Sequence, residues 1–382
     1  MAVYLDYNAT TPVDKTVFEA MSPFFCSDFG NPSSQHRFGR AARHALEQAR
    51  EQVAELVAVH PSQVVFTSGG TEANNLALKG VGQIPEVNRL LVGATEHSSV
   101  IKTAQALSEQ GWQVETVGVD GNGLVDQDHF LACLDASPSM VSVMLANNET
   151  GVIQSIAPLA AMVRDAGGIM HTDAVQAAGK IGIDFAETGA HLMTLSAHKI
   201  YGPKGVGALI VDKALKLSPL IHGGGQEKGY RGGTENVPAI VGFGAAAMLA
   251  KRKLVSESIR LQGLRDRLQS GLRALGKIQI FGENAPRLAN TVFFSVPGID
   301  GAALLLALDK AGFSVSSGSA CSSERLAPSH VLLAMGAEEE IARGAIRVSL
   351  GQDNDAHDID EFVEALGREI QNTRRLINRA AG

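Results

Sequence analysis

Short apolar runs alternate with longer amphipathic stretches between residues 60 and 212. Runs at 63–67, 89–94, 113–119, 140–146, 169–173, 192–196 and 208–211 have strand length and mainly apolar character, while 71–79 and 98–110 read as helices. Apolar strands separated by helices predict an α/β fold, with a mostly parallel, seven-stranded sheet covered on both faces. The pattern changes further on. Residues 236–276 read as helix, in one or two pieces, with Arg260 and Arg267 on a polar face and Leu261, Leu268 and Leu272 on an apolar one. Strands at 291–296, 313–316 and 345–350, a helix at 301–310 and a last amphipathic helix at 356–378 then predict a smaller α+β unit. The expected division is a large domain at 13–252 and a small domain formed by 1–12 with 253–382.

Composition narrows the function without naming it. The chain has 382 residues, 45% of them apolar and 19% charged, with formal net charge −7. No basic run supports binding to a phosphate backbone, so no nucleic-acid partner is expected. The apolar stretches are too short to cross a bilayer, and Met1–Asp6 lacks the pattern of a secretory leader. The expectation is a soluble, cytoplasmic protein with no membrane association. Cys26, Cys133 and Cys321 are odd in number and far apart, which suits neither a disulfide framework nor a zinc site, so no metal is expected.

In parallel sheets ligands collect at the carboxyl ends of strands, and Thr71, His97, Asn148, Asp173 and Lys199 all fall at or just beyond such ends. Lys199 lies in Ser196-Ala197-His198-Lys199-Ile200-Tyr201-Gly202-Pro203, between a strand and a Gly/Pro loop, and Asp173 ends the strand before it. A lysine that forms a Schiff base and an acid that keeps a pyridine nitrogen protonated are what pyridoxal phosphate requires. A solvated loop lysine and a helix-capping aspartate are the plain alternatives. Ser68-Gly69-Gly70-Thr71-Glu72 joins a strand to a helix and suits an anion at the helix start, or simply caps it. His97 is either a capping residue or a proton carrier stacked on a ring. Cys321 lies in Ser316-Ser317-Gly318-Ser319-Ala320-Cys321, whose polar neighbours argue against burial and for an accessible thiol. Arg347, inside an apolar strand, suits a substrate carboxylate or a structural salt bridge. The glycine-rich spans 222–226 and 231–236 lack a P-loop ending and read as surface loops.

In order along nearly the whole chain, these segments resemble the cysteine desulfurases, fold-type I pyridoxal-phosphate enzymes of the class V aminotransferase superfamily. Tyr4-Leu5-Asp6-Tyr7-Asn8-Ala9-Thr10-Thr11-Pro12 and Phe29-Gly30-Asn31-Pro32-Ser33-Ser34 are similar to its N-terminal signatures. Ala146-Asn147-Asn148-Glu149-Thr150-Gly151, His171-Thr172-Asp173-Ala174-Val175-Gln176 and the Lys199 segment match its cofactor motifs. The cysteine loop, followed by Pro328-Ser329-His330, resembles the group serving iron–sulfur cluster assembly, the nitrogen-fixation type included.

The resemblance implies that Lys199 carries pyridoxal 5'-phosphate and moves the substrate α-proton. Asp173 pairs with the ring nitrogen, Gln176 with the ring hydroxyl, and His97 stacks on the ring and serves the thiol steps. Gly70, Thr71, Ser196 and His198 hold the phosphate, joined by Thr234 of the partner subunit of a homodimer. Asn148 and Arg347 orient the substrate carboxylate, and Asn148 also touches the cofactor. The implied reaction converts L-cysteine to L-alanine and leaves a persulfide on Cys321 for an acceptor or iron–sulfur scaffold protein, in cluster assembly or thiolation. Two places depart from the family pattern: Ala197 stands where glycine is common, and Arg231-Gly232-Gly233-Thr234 has glycine where serine or alanine is usual. A selenocysteine lyase or aminotransferase on the same scaffold, and a non-catalytic docking protein, are the rival readings.

Overall fold

The computed structural model describes residues 2–83, 87–134, 140–318 and 327–380. Cys321 and its neighbours at 319–326 lie outside the described residues.

A seven-stranded sheet forms the centre of the molecule: β1 (Val64–Thr67), β2 (Arg89–Gly93), β3 (Gln113–Val117), β4 (Met140–Ser142), β5 (Ile169–Asp173), β6 (Leu192–Ser196) and β7 (Gly207–Val211). Their spatial order is β1-β7-β6-β5-β4-β2-β3. The pairs β2–β3, β2–β4, β4–β5 and β5–β6 are parallel, and β7 runs antiparallel to both β1 and β6. The sheet is therefore mostly parallel, with one reversed strand. Loop length explains the reversal: ten residues separate β6 from β7, too few for a crossover helix to return the chain in the same direction.

Residue alternation sorts the strands onto two apolar layers. Val64, Phe66, Leu91, Ala208 and Ile210 join one cluster, which includes residues of α1 (Arg37–Leu56). Val65, Leu90, Val92, Leu209 and Val211 join another, with α2 (Gly70–Gly80) and α3 (Ser98–Glu109). Because both faces are covered, the polar groups that matter emerge only at the strand ends.

Residues 237–274 form a single helix, α4 (Val237–Ala274), of 38 residues. Ala239, Ile240, Phe243, Ala246 and Ala247 on its first half pack into the sheet cluster. Leu264, Leu268 and Leu272 on its second half pack with Val292, Phe294, Ile346 and Phe362 in a separate core. We propose residue 252 as the division between domains, on the ground that this helix serves both cores. Leu5 belongs to the second core as well.

The smaller antiparallel sheet comprises β8 (Gln279–Ile280), β9 (Thr291–Ser295), β10 (Ser316–Ser317) and β11 (Ala345–Ser349), in the order β10-β11-β9-β8. The single strand expected at 313–316 is two. Phe313–Ser314 pairs in parallel with Val3–Tyr4, whereas Ser316–Ser317 pairs with β11. The chain changes partner at Val315, a switch that local sequence does not encode.

Candidate active site

The carboxyl ends of β5 and β6, the start of α2 and the turn before α3 surround an open cavity of about 770 Å³. Gly70, Thr71, His97, Asn148, Asp173, Gln176, Ser196, His198, Lys199 and Arg347 all line it. Every expected site residue within the described part is therefore at this one place except Thr234, which is exposed and outside the lining. Cys321, being outside the described residues, is not placed.

Each side chain has a physical reason for its position. Asp173 is buried at the end of β5, and its carboxylate accepts from Asn74 Nδ2 at 2.7 Å and Val175 N at 2.9 Å. Lys199 leaves β6 through a short 3-10 turn, and its Nζ donates to the carbonyls of Asn8 at 2.5 Å and Ala9 at 2.7 Å. His97 caps α3, with Ser99 N donating to Nδ1 at 3.2 Å, so the capping alternative is realised in the same residue that faces the cavity. Burial lowers its pKa, Lys199 and His330 add to that, and Asp173 opposes them. His198 is pushed down to about 4, chiefly by burial and by Lys199. Both imidazoles are thereby biased toward the neutral form that can accept a proton.

Arg347 takes up the salt-bridge alternative: its Nη2 meets Asp6 Oδ1 at 2.7 Å, and Nη1 donates to Asn148 O at 2.9 Å. Its Nε is buried with no partner among the described residues. Structural pairing and a further polar contact are thus both open to one guanidinium.

The start of α2 provides a polar cradle. Its N-cap, Gly69, supplies no side-chain acceptor, which leaves first-turn amides for an acceptor from outside the helix. A Cβ at Gly70 would lie 3.0 Å from Val175 Cγ2, and one at Gly207 would lie 2.6 Å from the Gly69 carbonyl carbon. Glycine at both positions lets the loop sit close against the sheet. Ser196 Oγ, buried beside this loop, has no hydrogen-bond partner among the described residues. An unpaired buried hydroxyl next to uncapped amides suits a phosphate.

The family model described as Aminotransferase class-V matches residues 3–362. The cysteine desulfurase IscS of Dictyoglomus turgidum is 42% identical over 377 residues, covering 98% of this chain and 96% of that protein. The cysteine desulfurase IscS 1 of Archaeoglobus fulgidus is 43% identical, covering 98% of each. The chain belongs to the cysteine desulfurase family of class V aminotransferases. Among solved structures, a NifS-like protein superposes with TM-score 0.91 at 38% identity, covering 97% of this chain and all of that one. A structure described as SspA in complex with cysteine gives TM-score 0.80 at 33% identity, covering 91% of this chain and 98% of that one. Pyridoxal phosphate is the cofactor this family implies, and the cradle, Asp173 and Lys199 fit it. No helix among the described residues is long and apolar enough to cross a membrane.

Several residues of this desulfurase site were not singled out from sequence. Asn74 orients Asp173, and a polar residue on the buried face of α2 was the available signal. Glu96 and Glu149 are fully buried carboxyl groups beside His97 and Asn148, and burial raises both, Glu149 to about 7. Glu149 Oε2 accepts from Ser329 Oγ. His171 lies at the middle of β5 between Ser142 Oγ at 2.9 Å and Thr194 Oγ1 at 3.1 Å.

Burial holds the His171 pKa at about 4, below its ordinary 6.5. A histidine depressed in the folded state stabilises fully above the unfolded value, and that contribution is lost as pH falls from 6.5 toward 4. The gap corresponds to about 3 kcal/mol. His171→Gln is therefore expected to lose less stability than the native protein across that interval. Urea midpoints measured at pH 7 and pH 4 check it, and parallel losses in both proteins would refute it.

Proposed function

We propose that this protein converts L-cysteine to L-alanine, passing the sulfur to Cys321 and then to an acceptor in iron–sulfur cluster assembly or thiolation. The observation that carries the reading is the convergence of Lys199 and Asp173 on a cavity lined by Ser196, whose buried hydroxyl has no partner among the described residues. The family membership supports it.

Gly70, Thr71, Ser196 and His198 would hold the phosphate of pyridoxal 5'-phosphate, Asp173 its ring nitrogen, Gln176 its ring hydroxyl, and His97 would face the ring. When bound, that group supplies an electron sink that acidifies the α-proton of an attached amino acid. Lys199 Nζ takes the α-proton and returns it, the role of an amine positioned at the cavity wall beside the substrate. Arg347 and Asn148 would orient the substrate carboxylate, Arg347 through guanidinium N–H groups not used by Asp6 or Asn148 O. The Cys321 thiolate attacks the substrate sulfur. The carbon–sulfur bond breaks, a sulfur–sulfur bond forms on Cys321, and the carbon fragment leaves as L-alanine after gaining protons. Neutral His97 is suited to receive the thiol proton.

A homodimer is part of the same reading. Thr234 is exposed and away from its own cavity, as a residue serving a second copy must be. Phe18, Phe25 and Phe29 are 60%, 58% and 68% exposed, three large apolar side chains close in sequence that a second chain would cover.

The test is Cys321→Ala. The variant is expected to keep the yellow absorbance of bound cofactor and to release no sulfide or alanine from L-cysteine. Undiminished alanine release by this variant would move the protein to the lyases that need no persulfide.

A further inference from the structure

The residues on either side of the Cys321 segment meet on one buried side chain, Glu149. Gly318 stands three residues before Cys321 and Ser329 eight residues after it. Ser329 Oγ donates to Glu149 Oε2, and both residues are buried. Gly318 passes against the same oxygen. A Cβ added there would lie 2.7 Å from Glu149 Oε2, 2.9 Å from Ser329 Cβ and 2.6 Å from Phe293 Cζ. Contacts that short leave no room for a side chain, so glycine is what lets the two ends approach one carboxyl group.

Glu149 is itself fixed to the candidate active site. Its amide and that of Thr150 donate to Asn147 Oδ1, each at 2.9 Å, and Asn147 Nδ2 donates to Thr95 O at 2.9 Å. That last bond joins the turn at 147–150, which carries Asn148, to the turn before α3, which carries His97. His330 reaches the second turn directly, with its Nε2 3.0 Å from Glu96 O. On the other side, Ser316 and Ser317 pair with Arg347 and Ile346 of β11. Both ends of the Cys321 segment thus rest on the elements that carry His97, Asn148 and Arg347.

We propose that Glu149 is a positioning residue for sulfur transfer, holding both ends of the Cys321 segment against the turn that carries Asn148. The proposal rests on the assignment of Cys321 as the group that takes the sulfur. A nucleophile that must reach one substrate atom loses rate steeply with displacement, about 10²-fold for 1 Å. Removal of the α-proton uses Lys199 and the cofactor and does not need the thiol. Loss of the Glu149 contact should therefore slow the sulfur step and spare the proton step. The contact is a hydrogen bond rather than an ion pair. Burial raises the Glu149 carboxyl to about 7, with Ser329 and Arg347 opposing, and a carboxamide of the same shape can accept the Ser329 hydroxyl in its place.

The experiment measures two rates on the cofactor-loaded protein: alanine release from L-cysteine, and exchange of the α-hydrogen of L-alanine in deuterated water, followed by mass spectrometry. E149A is expected to lower alanine release about 10- to 100-fold and to leave exchange within about 3-fold of native. E149Q, which keeps an oxygen for Ser329 Oγ, is expected to hold release within about 3-fold of native. S329A removes the same bond from the other side and reads the same quantity if E149A does not fold. Native release in E149A and S329A overturns the proposal. A parallel fall of both rates overturns it too, since Glu149 would then support the substrate pocket alone. So does E149Q as slow as E149A, because charge would then be what matters. Cys321→Ala separates the two levels: alanine release surviving in that variant refutes the assignment of Cys321 itself. Release lost there, with native release in E149A and S329A, refutes only the role of Glu149.

Discussion

Lys199→Ala is expected to lower alanine production from L-cysteine by about 10³-fold or more, the scale of losing a positioned proton carrier together with the covalent tie to the cofactor. The cavity should survive the change. Asp173 is held by Asn74 and Val175, and Ser196 and the α2 start are set by the sheet, none of them through Lys199. The variant should accordingly bind pyridoxal 5'-phosphate without covalent attachment and lose it on dialysis. Measuring cofactor content before and after dialysis, beside alanine release, checks both parts. A variant that stays yellow and turns over at a native rate would place the reactive amine elsewhere.

Asp173→Asn is the second large expected effect, a fall in kcat of about 10²- to 10³-fold with little change in KM. The substitution keeps size while removing the negative charge that supports a protonated ring nitrogen, an interaction worth about 3–4 kcal/mol in the transition state. Its local cost is smaller. An asparagine oxygen can accept from Asn74 or from the Val175 amide, and its NH₂ group then faces a donor, so about 1–2 kcal/mol of stability is at stake. A kcat within a few-fold of native, measured on fully loaded enzyme, would remove Asp173 from the chemistry. A large loss of folding stability without a kcat effect would make it only a cap for the segment at 174–178.

The large sheet was legible because its strands carry their own signal. Val64–Thr67, Ile169–Asp173 and Leu192–Ser196 are buried throughout, and such runs read as core strands whatever their neighbours. Candidate ligands at their carboxyl ends followed from the same pattern. Three things were not legible. The reversal of β7 depends on which strand it pairs with. The split at Val315 depends on two partners, Val3–Tyr4 and β11, remote in sequence. The Asn8 junction joins the chain's start to residues near 148, 176, 180, 199, 290 and 349, and an asparagine in a polar N-terminal stretch carries no local mark of that.

By itself the sequence determined the alternation of strand and helix, the second and smaller unit, and the residue types that chemistry at Lys199 and Asp173 requires. Periodicity and side-chain chemistry are local properties, so they survive without the fold. Only the tertiary structure decided that Arg347 is shared between Asp6 and the cavity, that Asn74 steers Asp173, and that Lys180 stands beside Lys199. Those are matters of distance and burial between residues far apart along the chain, and they exist only once the two cores have closed around the N-terminal segment.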